Sequence, residues 1–449
     1  MNLITTNELD RLLTAMIQSA EGISDLLFVA GKPPQVEVHG TLEAFAFEWP
    51  GGKVDGSELI VDRKPGHSAA DNQLPTGNYQ LTAERIESLA RAILNNNAKL
   101  LRDLAEHGSC DCSYALENLC RFRVNIYRQS GSFAMVLRRL QAEIPTLAAL
   151  GLPSVFQDIV KERNGLVFVT GGSGNGKTTT LAAMLNEINR TSKVHIVSLE
   201  DPVEFLHPQL KSTFSQRELG RDFFNFPDGL RAALRQAPKV ILVGEIRDRE
   251  TLEIALTAGE TGHLVFSTLH TISAGQTIHR VLGMFSKDEE QQVRERLVGS
   301  LRYIVSQRLV PKKHGGRLLV TELMGSSLRT REAIELGENE NRRLHDIIEA
   351  GNSAGWHSFE QSLLKAYEAD LITEEAALLY CANKPAMRQR LDLANGRNHR
   401  AAKAVQAAPM MVVAAAAPAP APVALPIIPP VVKPEPQAGR LMGILNGFI

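Results

Sequence analysis

Cysteine is scarce in this chain, and neither sign of charge is in excess. The 449 residues include 4 cysteines, too few for a disulfide framework, and such scarcity suits a reducing compartment. Lys and Arg number 49 against 50 Asp and Glu, so the net charge of −1 lacks the basic footprint of a nucleic-acid-binding protein. The first residues, MNLITTNELDRLLTAM, contain no apolar core of a secretory signal. We therefore expect a cytoplasmic protein with no nucleic-acid partner.

A long uncharged stretch near the C-terminus lacks the continuity that a membrane-spanning helix needs. Residues 404–432 carry no charged side chain, but seven prolines interrupt them. Because each proline inside a helix costs ~3 kcal/mol or more, we expect an extended linker here and no direct membrane span. The last residues, GRLMGILNGFI, form an apolar peptide that could dock on a partner. Residues 396–449 are thus predicted to be an Ala/Pro-rich disordered tail with an apolar terminus.

Residues 1–138 mix helical and strand patterns, which predicts a small α+β domain. Residues 3–20 place apolar side chains at helical spacing, and Asn7 is a candidate cap. SDLLFVAG and PQVEVHGTLEAF read as two strands, and a Gly-, Pro- and Asp-rich insert follows at about 49–77. A helix with Thr82 and Glu84 near its start comes next. CDCSYALENLCRFRVNIYRQ and SFAMVLRRL then alternate as paired strands would.

Residues 139–153 read as a linker, and residues 154–395 read as an α/β domain. The apolar runs LVFVT, HIVSLE, KVILVGE and HLVFST alternate with predicted helices, one of which begins at Lys177. This alternation is typical of a mostly parallel sheet buried between helices. After about Gly316 a strand, LLVTEL, precedes helices that run to roughly Asn395. The C-terminal part of this domain is therefore expected to be helical.

A phosphate-binding loop, GGSGNGKT, lies between the first apolar strand and the helix at Lys177. It fits the pattern G-x-x-x-x-G-K-[ST] in the strand–loop–helix context that this motif requires. Glycines let backbone N–H groups approach a phosphate, the lysine reaches the β- and γ-phosphates, and the Thr178 hydroxyl ligates Mg²⁺. The predicted nucleotide-binding residues are Gly171, Gly172, Ser173, Gly174, Asn175, Gly176, Lys177, Thr178 and Thr179.

Acidic side chains follow two of the predicted strands. The predicted strand HIVSLE ends at Glu200, and the segment EDPVEF then adds Asp201 and Glu204. Glu245 follows the strand KVILV. A nucleotide hydrolase needs carboxylates at such strand ends, to hold Mg²⁺ and to polarise water. Two acidic segments at the expected distance after a phosphate-binding loop therefore favour a hydrolase site over acids that only cap or solvate a loop.

Two histidines bracket another strand, because TGHLVFSTLHT places His263 at its start and His270 at its end. On the residues alone, this pair is compatible with a site role and equally with a structural one.

Together these segments resemble the secretion ATPase superfamily of type II/IV secretion and type IV pilus motors, most closely its pilus-retraction branch. The resemblance covers about residues 3–390. It includes SDLLFVAGKPP, RFRVN, the phosphate loop (Walker A), EDPVEF (Asp box), VILVGEIRD (Walker B) and TGHLVFSTLHT (His box). It implies a PAS-like N-terminal domain, a RecA-like P-loop ATPase domain and a homohexamer. ATP and Mg²⁺ would lie between the domains, next to a neighbouring protomer.

The resemblance also implies roles for individual residues. Glu204 matches the glutamate that activates water, and Glu245 matches the Walker B glutamate on the metal side, with Thr178 as the other metal residue. His263 and His270 match a pair that contacts the γ-phosphate. In this family arginines of the N-terminal domain act as fingers, and the candidates here are Arg121, Arg123, Arg138 and Arg139. Arg123 and Arg138 are favoured by their position on adjacent strands.

Two absences favour pilus retraction over assembly or secretion. Assembly and secretion relatives usually carry two CxxC pairs that bind zinc, and none of the four cysteines here has CxxC spacing. The long N-terminal extension of the assembly ATPases is also missing. Departures point the other way: Leu27 stands where the family often has His, and Ala237-Pro238-Lys239 replaces Asp-Pro-Asp. The retraction signature AIRNLIRE corresponds to RTREAIEL at 329–336, with two identities.

The sequence therefore predicts a hexameric ATP-hydrolysing motor that powers type IV pilus retraction and twitching motility. A pilus assembly or type II secretion ATPase is the first alternative, and a nucleotide-binding regulatory subunit with low turnover is the second. The partners implied by the resemblance are an inner-membrane pilus platform protein and a sister pilus ATPase. The expected location is the cytoplasm, peripheral to the inner membrane.

Overall fold

The computed structural model describes residues 4–38, 40–47, 80–117, 119–140 and 143–407, with backbone alone from 397 onward. The predicted insert at 49–77 and the tail beyond Ala407 lie outside the described residues. Among the described residues, no helix combines the length and the apolar character that crossing a bilayer requires.

The N-terminal domain is an antiparallel sheet covered by helices. In the described residues its strands are β1 (Ile23–Phe28), β2 (Gln35–Val38), β3 (Thr41–Ala44), β4 (Ser109–Leu116), β5 (Cys120–Gln129) and β6 (Ser132–Leu140). They pair in the order β3-β2-β1-β6-β5-β4. The segment PQVEVHGTLEAF, which reads as one strand, forms the hairpin β2–β3 instead. Gly40 adopts a left-handed φ of +84°, which turns the chain back on itself.

Among the described residues of this domain, three helices pack on the sheet: α1 (Thr6–Gln18), α2 (Ala83–Leu94) and α3 (Ala98–His107). The predicted cap of α1 at Asn7 is wrong, because Thr5 holds that position. The Thr5 hydroxyl accepts from the Glu8 N–H, and the Glu8 carboxylate accepts from the Thr5 N–H in return. The helix predicted with Thr82 near its start is α2, which Thr82 caps, and α3 was not predicted. The apolar face of α1 is fully buried in the domain core, as its spacing indicates.

The second domain contains a mostly parallel sheet, as predicted. Its strands are β7 (Gly165–Thr170), β8 (His195–Glu200), β9 (Thr213–Glu218), β10 (Val240–Val243), β11 (Leu264–Leu269), β12 (Leu301–Pro311) and β13 (Arg317–Gly325). Within the described part of the chain, they run in the order β13-β12-β7-β11-β10-β8-β9, and β12 with β13 is the antiparallel pair. The carboxyl ends of β7, β8, β10 and β11 therefore meet at one edge.

Helices cover both faces of this sheet and continue past it. They are α4 (Phe156–Ile159), α5 (Lys177–Thr191), α6 (Phe226–Ala233), α7 (Arg249–Glu260), α8 (Ala274–Leu282), α9 (Glu290–Ser300), α10 (Leu328–Leu336), α11 (Leu344–Ala350), a 3₁₀ turn (Gly351–Ala354), α12 (Phe359–Glu368), α13 (Glu374–Tyr380) and α14 (Lys384–Ala407). The α+β domain followed by an α/β domain with a helical C-terminal part is thus confirmed. The PAS-like assignment and the domain boundaries stay predictions.

Residues up to Ala394 form one compact unit, and residues from Asn395 belong to another. The second unit contains the end of α14, so helix continues to Ala407, past residue 396 where the tail was predicted to begin.

Gly165, at the start of β7, offers a stability test because no side chain fits there. Its φ is +103°, and a Cβ would lie 2.5 Å from the Ser300 carbonyl oxygen. We expect Gly165→Ala to lower the free energy of unfolding by about 2 kcal/mol, seen as a fall of several degrees in the melting temperature. Gly299→Ala is the matched control, since nothing lies within 4 Å of its Cβ position and α9 gains a better helix former. Equal melting temperatures for the two variants would contradict the packing described here.

Candidate active site

A cavity of about 450 Å³ opens at the carboxyl edge of the parallel strands. Parallel strands bring the loops that follow them to one edge, which is the usual place for a ligand in an open α/β sheet. Most of the predicted site residues line this cavity: Arg123, Ser173, Gly174, Lys177, Thr178, Glu204, Glu245 and His270. Segments distant in sequence therefore converge on one concave surface.

The phosphate-binding loop connects β7 to α5, and its shape depends on glycine. Gly171 has a φ of +147°, and a Cβ there would lie 2.7 Å from the Gln307 carbonyl oxygen. Gly176, with a φ of +79°, turns the chain into α5, which begins at Lys177 as predicted. Asn175 anchors the loop by accepting from the Leu309 N–H at 3.3 Å. The helix N-terminus consequently faces the cavity with its backbone N–H groups.

The remaining predicted loop residues shape this segment and do not line the cavity. Gly172 accepts from Lys177, and Thr179 lies in the first turn of α5.

Lys177 is buried and folds back over the loop. Its Nζ donates to the carbonyl oxygens of Gly171 at 2.9 Å and Gly172 at 3.0 Å. Burial lowers the pKa of the ammonium, and the carboxylates of Glu245 and Glu204 partly offset that effect. The cavity thus holds one buried cation between two carboxylates, an arrangement that an anionic phosphate group would complete.

Glu245 follows β10 and enters the cavity beside His270. Its carboxylate pairs with Arg247, and His270 Nε2 lies 3.5 Å from its Oε2 atom. Gly244 permits this placement, because a Cβ there would lie 3.1 Å from the Leu199 carbonyl oxygen. A carboxylate here and the Thr178 hydroxyl nearby are hard oxygen donors of the kind that Mg²⁺ prefers.

The two predicted histidines lie at opposite ends of strand β11. His270 follows β11 and lines the cavity, whereas His263 precedes β11 and lies near the Ala258 carbonyl, 3.1 Å from its Nδ1. Six strand residues separate them, a distance of about 20 Å. The structure therefore does not bring His263 to this cavity, because a strand carries its two ends apart.

The loop after β8 carries Glu204 into the cavity, and two further acids precede Glu204: Glu200 at the end of β8 and Asp201 at the start of the loop. Glu200 is fully enclosed, and burial raises its pKa to about 7, against the hydrogen bonds it accepts from Ser198 and Gln216. Burial also raises the pKa of Asp201. These perturbed carboxyl groups beside a buried lysine are typical of a functional site.

The two favoured arginines lie opposite each other on neighbouring strands, but their side chains make different contacts. Arg123 of β5 lies opposite Arg138 of β6, and only Arg123 is among the described residues that line the cavity. Arg138 Nε donates to Asp25 Oδ1 at 2.9 Å, and its side chain is 69% exposed. Arg121, the less favoured candidate, instead contacts the loop that carries Glu204, donating to the Val203 carbonyl at 2.9 Å.

Sequence reasoning missed several side chains that line the cavity, including Asp111, His207, Arg247 and Thr268. It also missed β9, whose Gln216 and Glu218 hold the Glu204 loop. The segment TFSQRE contains one apolar residue, Phe214, so no alternation of apolar and polar residues indicated this strand.

Comparisons with known proteins show which family the chain is similar to. Residues 108–378 match the family model described as "Type II/IV secretion system protein". The chain is 36% identical over 357 residues to the "Type IV pilus retractation ATPase PilT" of Pseudomonas aeruginosa, across 80% of this chain and 94% of that protein. It is 33% identical over 387 residues to the "Type IV pilus ATPase PilU" of the same species, across 86% of this chain and 92% of that protein.

A solved structure is also similar over most of the chain. It is the pilus retraction motor PilT with bound ADP, which matches with a TM-score of 0.70 and 37% identity. The match covers 85% of this chain and 99% of that one.

Proposed function

We propose, from the premise that the chain belongs to the type II/IV secretion system protein family, that it is an ATP-hydrolysing motor which powers type IV pilus retraction. The family makes it an ATPase that binds nucleotide. The observation that carries the proposal is the single cavity shared by the phosphate loop, Glu204, Glu245 and His270. The chain matches relatives named for pilus retraction and twitching motility over most of their length, which supports pilus retraction as the function of the motor.

The predicted residues that line the cavity have proposed parts in hydrolysis. Lys177 and the N–H groups of the loop bind the β- and γ-phosphates. Glu204 accepts a proton from the attacking water as a general base. His270 contacts the γ-phosphate, and Arg123 supplies positive charge from the N-terminal domain as the transition state forms.

Magnesium is the proposed companion of ATP. Thr178 and Glu245 would hold it, partly through water, because both offer oxygen atoms and line the same cavity. When bound, the ion neutralises negative charge on the phosphate oxygens.

The proposed working form is a homohexamer with ATP near each border between protomers. Arg138 and His263 lie away from the cavity of their own chain, so in this proposal they act across such a border. The exposed guanidinium of Arg138 supports that placement. The proposed partners are an inner-membrane platform protein and a sister pilus ATPase, and the proposed location is cytoplasmic, peripheral to the inner membrane.

Deleting the gene in its host tests the direction of the motor. We expect more surface pili and no twitching, because pili would be assembled and not withdrawn, and a plasmid carrying the wild-type gene should restore both properties. Loss of surface pili would instead identify an assembly ATPase, and lost secretion with normal pili would identify a secretion ATPase.

The purified protein tests the chemistry separately. We expect ATP hydrolysis that stops when a chelator removes Mg²⁺. A chain that binds ATP and releases no phosphate would be a regulatory subunit, which would overturn the motor proposal.

A further inference from the structure

The loop that carries Glu204 is held on both sides of that residue by side chains of β9. On the far side, Gln216 donates to the Phe205 carbonyl at 2.8 Å and accepts from the His207 N–H at 2.8 Å. These bonds lie within the second domain. They fix the part of the loop that follows Glu204, whatever the position of the N-terminal domain.

The near side of Glu204 is held by a different pair. The Val203 N–H donates to Glu218 Oε2 at 3.1 Å, and the Val203 carbonyl accepts from Arg121 Nη1 at 2.9 Å. The Val203 carbonyl and the Glu204 N–H belong to one planar peptide unit. Arg121 therefore fixes the peptide plane from which the Glu204 side chain projects.

These contacts join the two domains. Arg121 belongs to β5 and Ser113 to β4, both in the N-terminal domain, whereas Glu218 belongs to the second domain. The Ser113 hydroxyl donates to the Glu218 carboxylate, whose oxygens lie 2.7 and 2.9 Å away, and it accepts from Arg121 Nη2 at 3.0 Å. Arg121 Nη2 also lies 3.4 Å from Glu218 Oε2.

Because this ion pair is buried, breaking it costs more free energy than breaking an exposed ion pair. The side chains of Arg121 and Glu218 are 14% and 10% exposed. Exposed ion pairs contribute little because water and salt screen them, but removing one partner of an enclosed pair leaves an uncompensated charge. The orientation of the Glu204 loop consequently depends on the N-terminal domain being docked.

Arg121 and Arg123 share one side of β5, since alternate residues of a strand point the same way. Arg123 lines the cavity, and Arg121 reaches the loop beside it. The same strand therefore reaches both the cavity and the residue proposed as its general base.

We propose that Arg121, with Glu218 and Ser113, is a positioning unit through which the N-terminal domain sets the orientation of Glu204. This inference rests on the proposed ATP hydrolysis, and Arg121 acts through Glu204 without touching the nucleotide. Hydrolysis then requires the docked domain arrangement, whereas ATP binding to the phosphate loop does not.

The test compares turnover with binding in the full chain. Arg121→Gln is expected to lower kcat by about tenfold or more, because a small misplacement of a catalytic group is costly, and to change ATP affinity by less than about twofold. Arg121→Lys should recover part of the loss, since an ammonium can reach one of the three acceptors of Arg121, which are the Val203 carbonyl, the Ser113 hydroxyl and the Glu218 carboxylate. Arg128→Gln is the matched control on the same strand. Its guanidinium is exposed over Phe133, and kcat should stay at the wild-type value.

A paired variant separates positioning from a stranded charge. Arg121→Gln combined with Glu218→Gln leaves no unpaired ion, so the protein should fold, and kcat should stay low because the Val203 carbonyl still lacks its charged donor. Recovery of wild-type kcat in this variant would overturn the inference. So would a further loss when Arg121→Gln is added to Glu204→Gln, because a residue that acts through Glu204 has nothing left to position.

Amide hydrogen exchange measures the loop without turnover. Peptides covering 201–207 should exchange faster in Arg121→Gln than in Arg128→Gln, because the Val203 carbonyl loses its donor and Glu218, the acceptor of the Val203 N–H, loses its charged partner. Unchanged exchange, or wild-type kcat in Arg121→Gln, would overturn the positioning role and leave the proposed function standing. A wild-type chain that hydrolyses no ATP would overturn both.

Discussion

Lys177→Ala should abolish measurable ATP hydrolysis, with a loss of about a hundredfold or more. The ammonium is the buried cation of the cavity, where it bonds to the carbonyl oxygens of Gly171 and Gly172. A phosphate would meet this charge away from bulk water, so the interaction is weakly screened. Alanine removes this buried charge and leaves the carboxylates of Glu204 and Glu245 in the cavity, where they would repel the phosphates. Nucleotide affinity should fall as well, and a fluorescent ATP analogue measures it alongside released phosphate.

Lys161→Ala is the control for that experiment. Lys161 is exposed and makes an ion pair of 3.3 Å with Asp158, outside the cavity, so its loss should leave both measurements unchanged. Retention of more than a tenth of wild-type turnover by Lys177→Ala would remove this lysine from the centre of the reaction.

Local pattern was enough to predict the phosphate loop and its surroundings. The apolar run of β7, the glycines and the helix from Lys177 are neighbours in sequence, so spacing determines their geometry. Glu204, Glu245 and His270 converge because they follow parallel strands of one sheet. That convergence requires only the alternation of strands and helices, which the sequence displays.

Long-range pairing explains what the sequence could not reveal. Arg138 turns toward Asp25, a residue on β1 that lies 113 positions earlier in the chain. No local pattern indicates that β1 and β6 are neighbours, so the sequence favours Arg123 and Arg138 equally as arginine fingers. The contact of Arg121 with Val203 likewise spans two domains. The separation of His263 from His270 could have been predicted, because the two ends of one strand lie far apart.

Glu204→Gln should bind ATP and hydrolyse it at least about tenfold more slowly than the wild type, since general bases typically contribute 10²–10⁴-fold. Glutamine keeps the size of the side chain and loses the group that accepts a proton. The loop should keep its position, because Gln216, Glu218 and Arg121 hold its backbone and not the Glu204 carboxylate. Binding of an ATP analogue at the wild-type affinity, together with slow phosphate release, is the expected pair of results.

Two comparisons make that result specific to Glu204. Glu295→Gln changes an exposed glutamate of α9 in the same way and should leave turnover unaltered. Glu245→Gln should instead raise the Mg²⁺ concentration needed for half-maximal activity, because Glu245 is the carboxylate proposed to hold the metal. A wild-type rate in Glu204→Gln would exclude it as the base. Since Glu200 is enclosed and bonded to Ser198 and Gln216, the base would then have to be sought among Asp111, Asp201 and Glu245, the other acids that line the cavity.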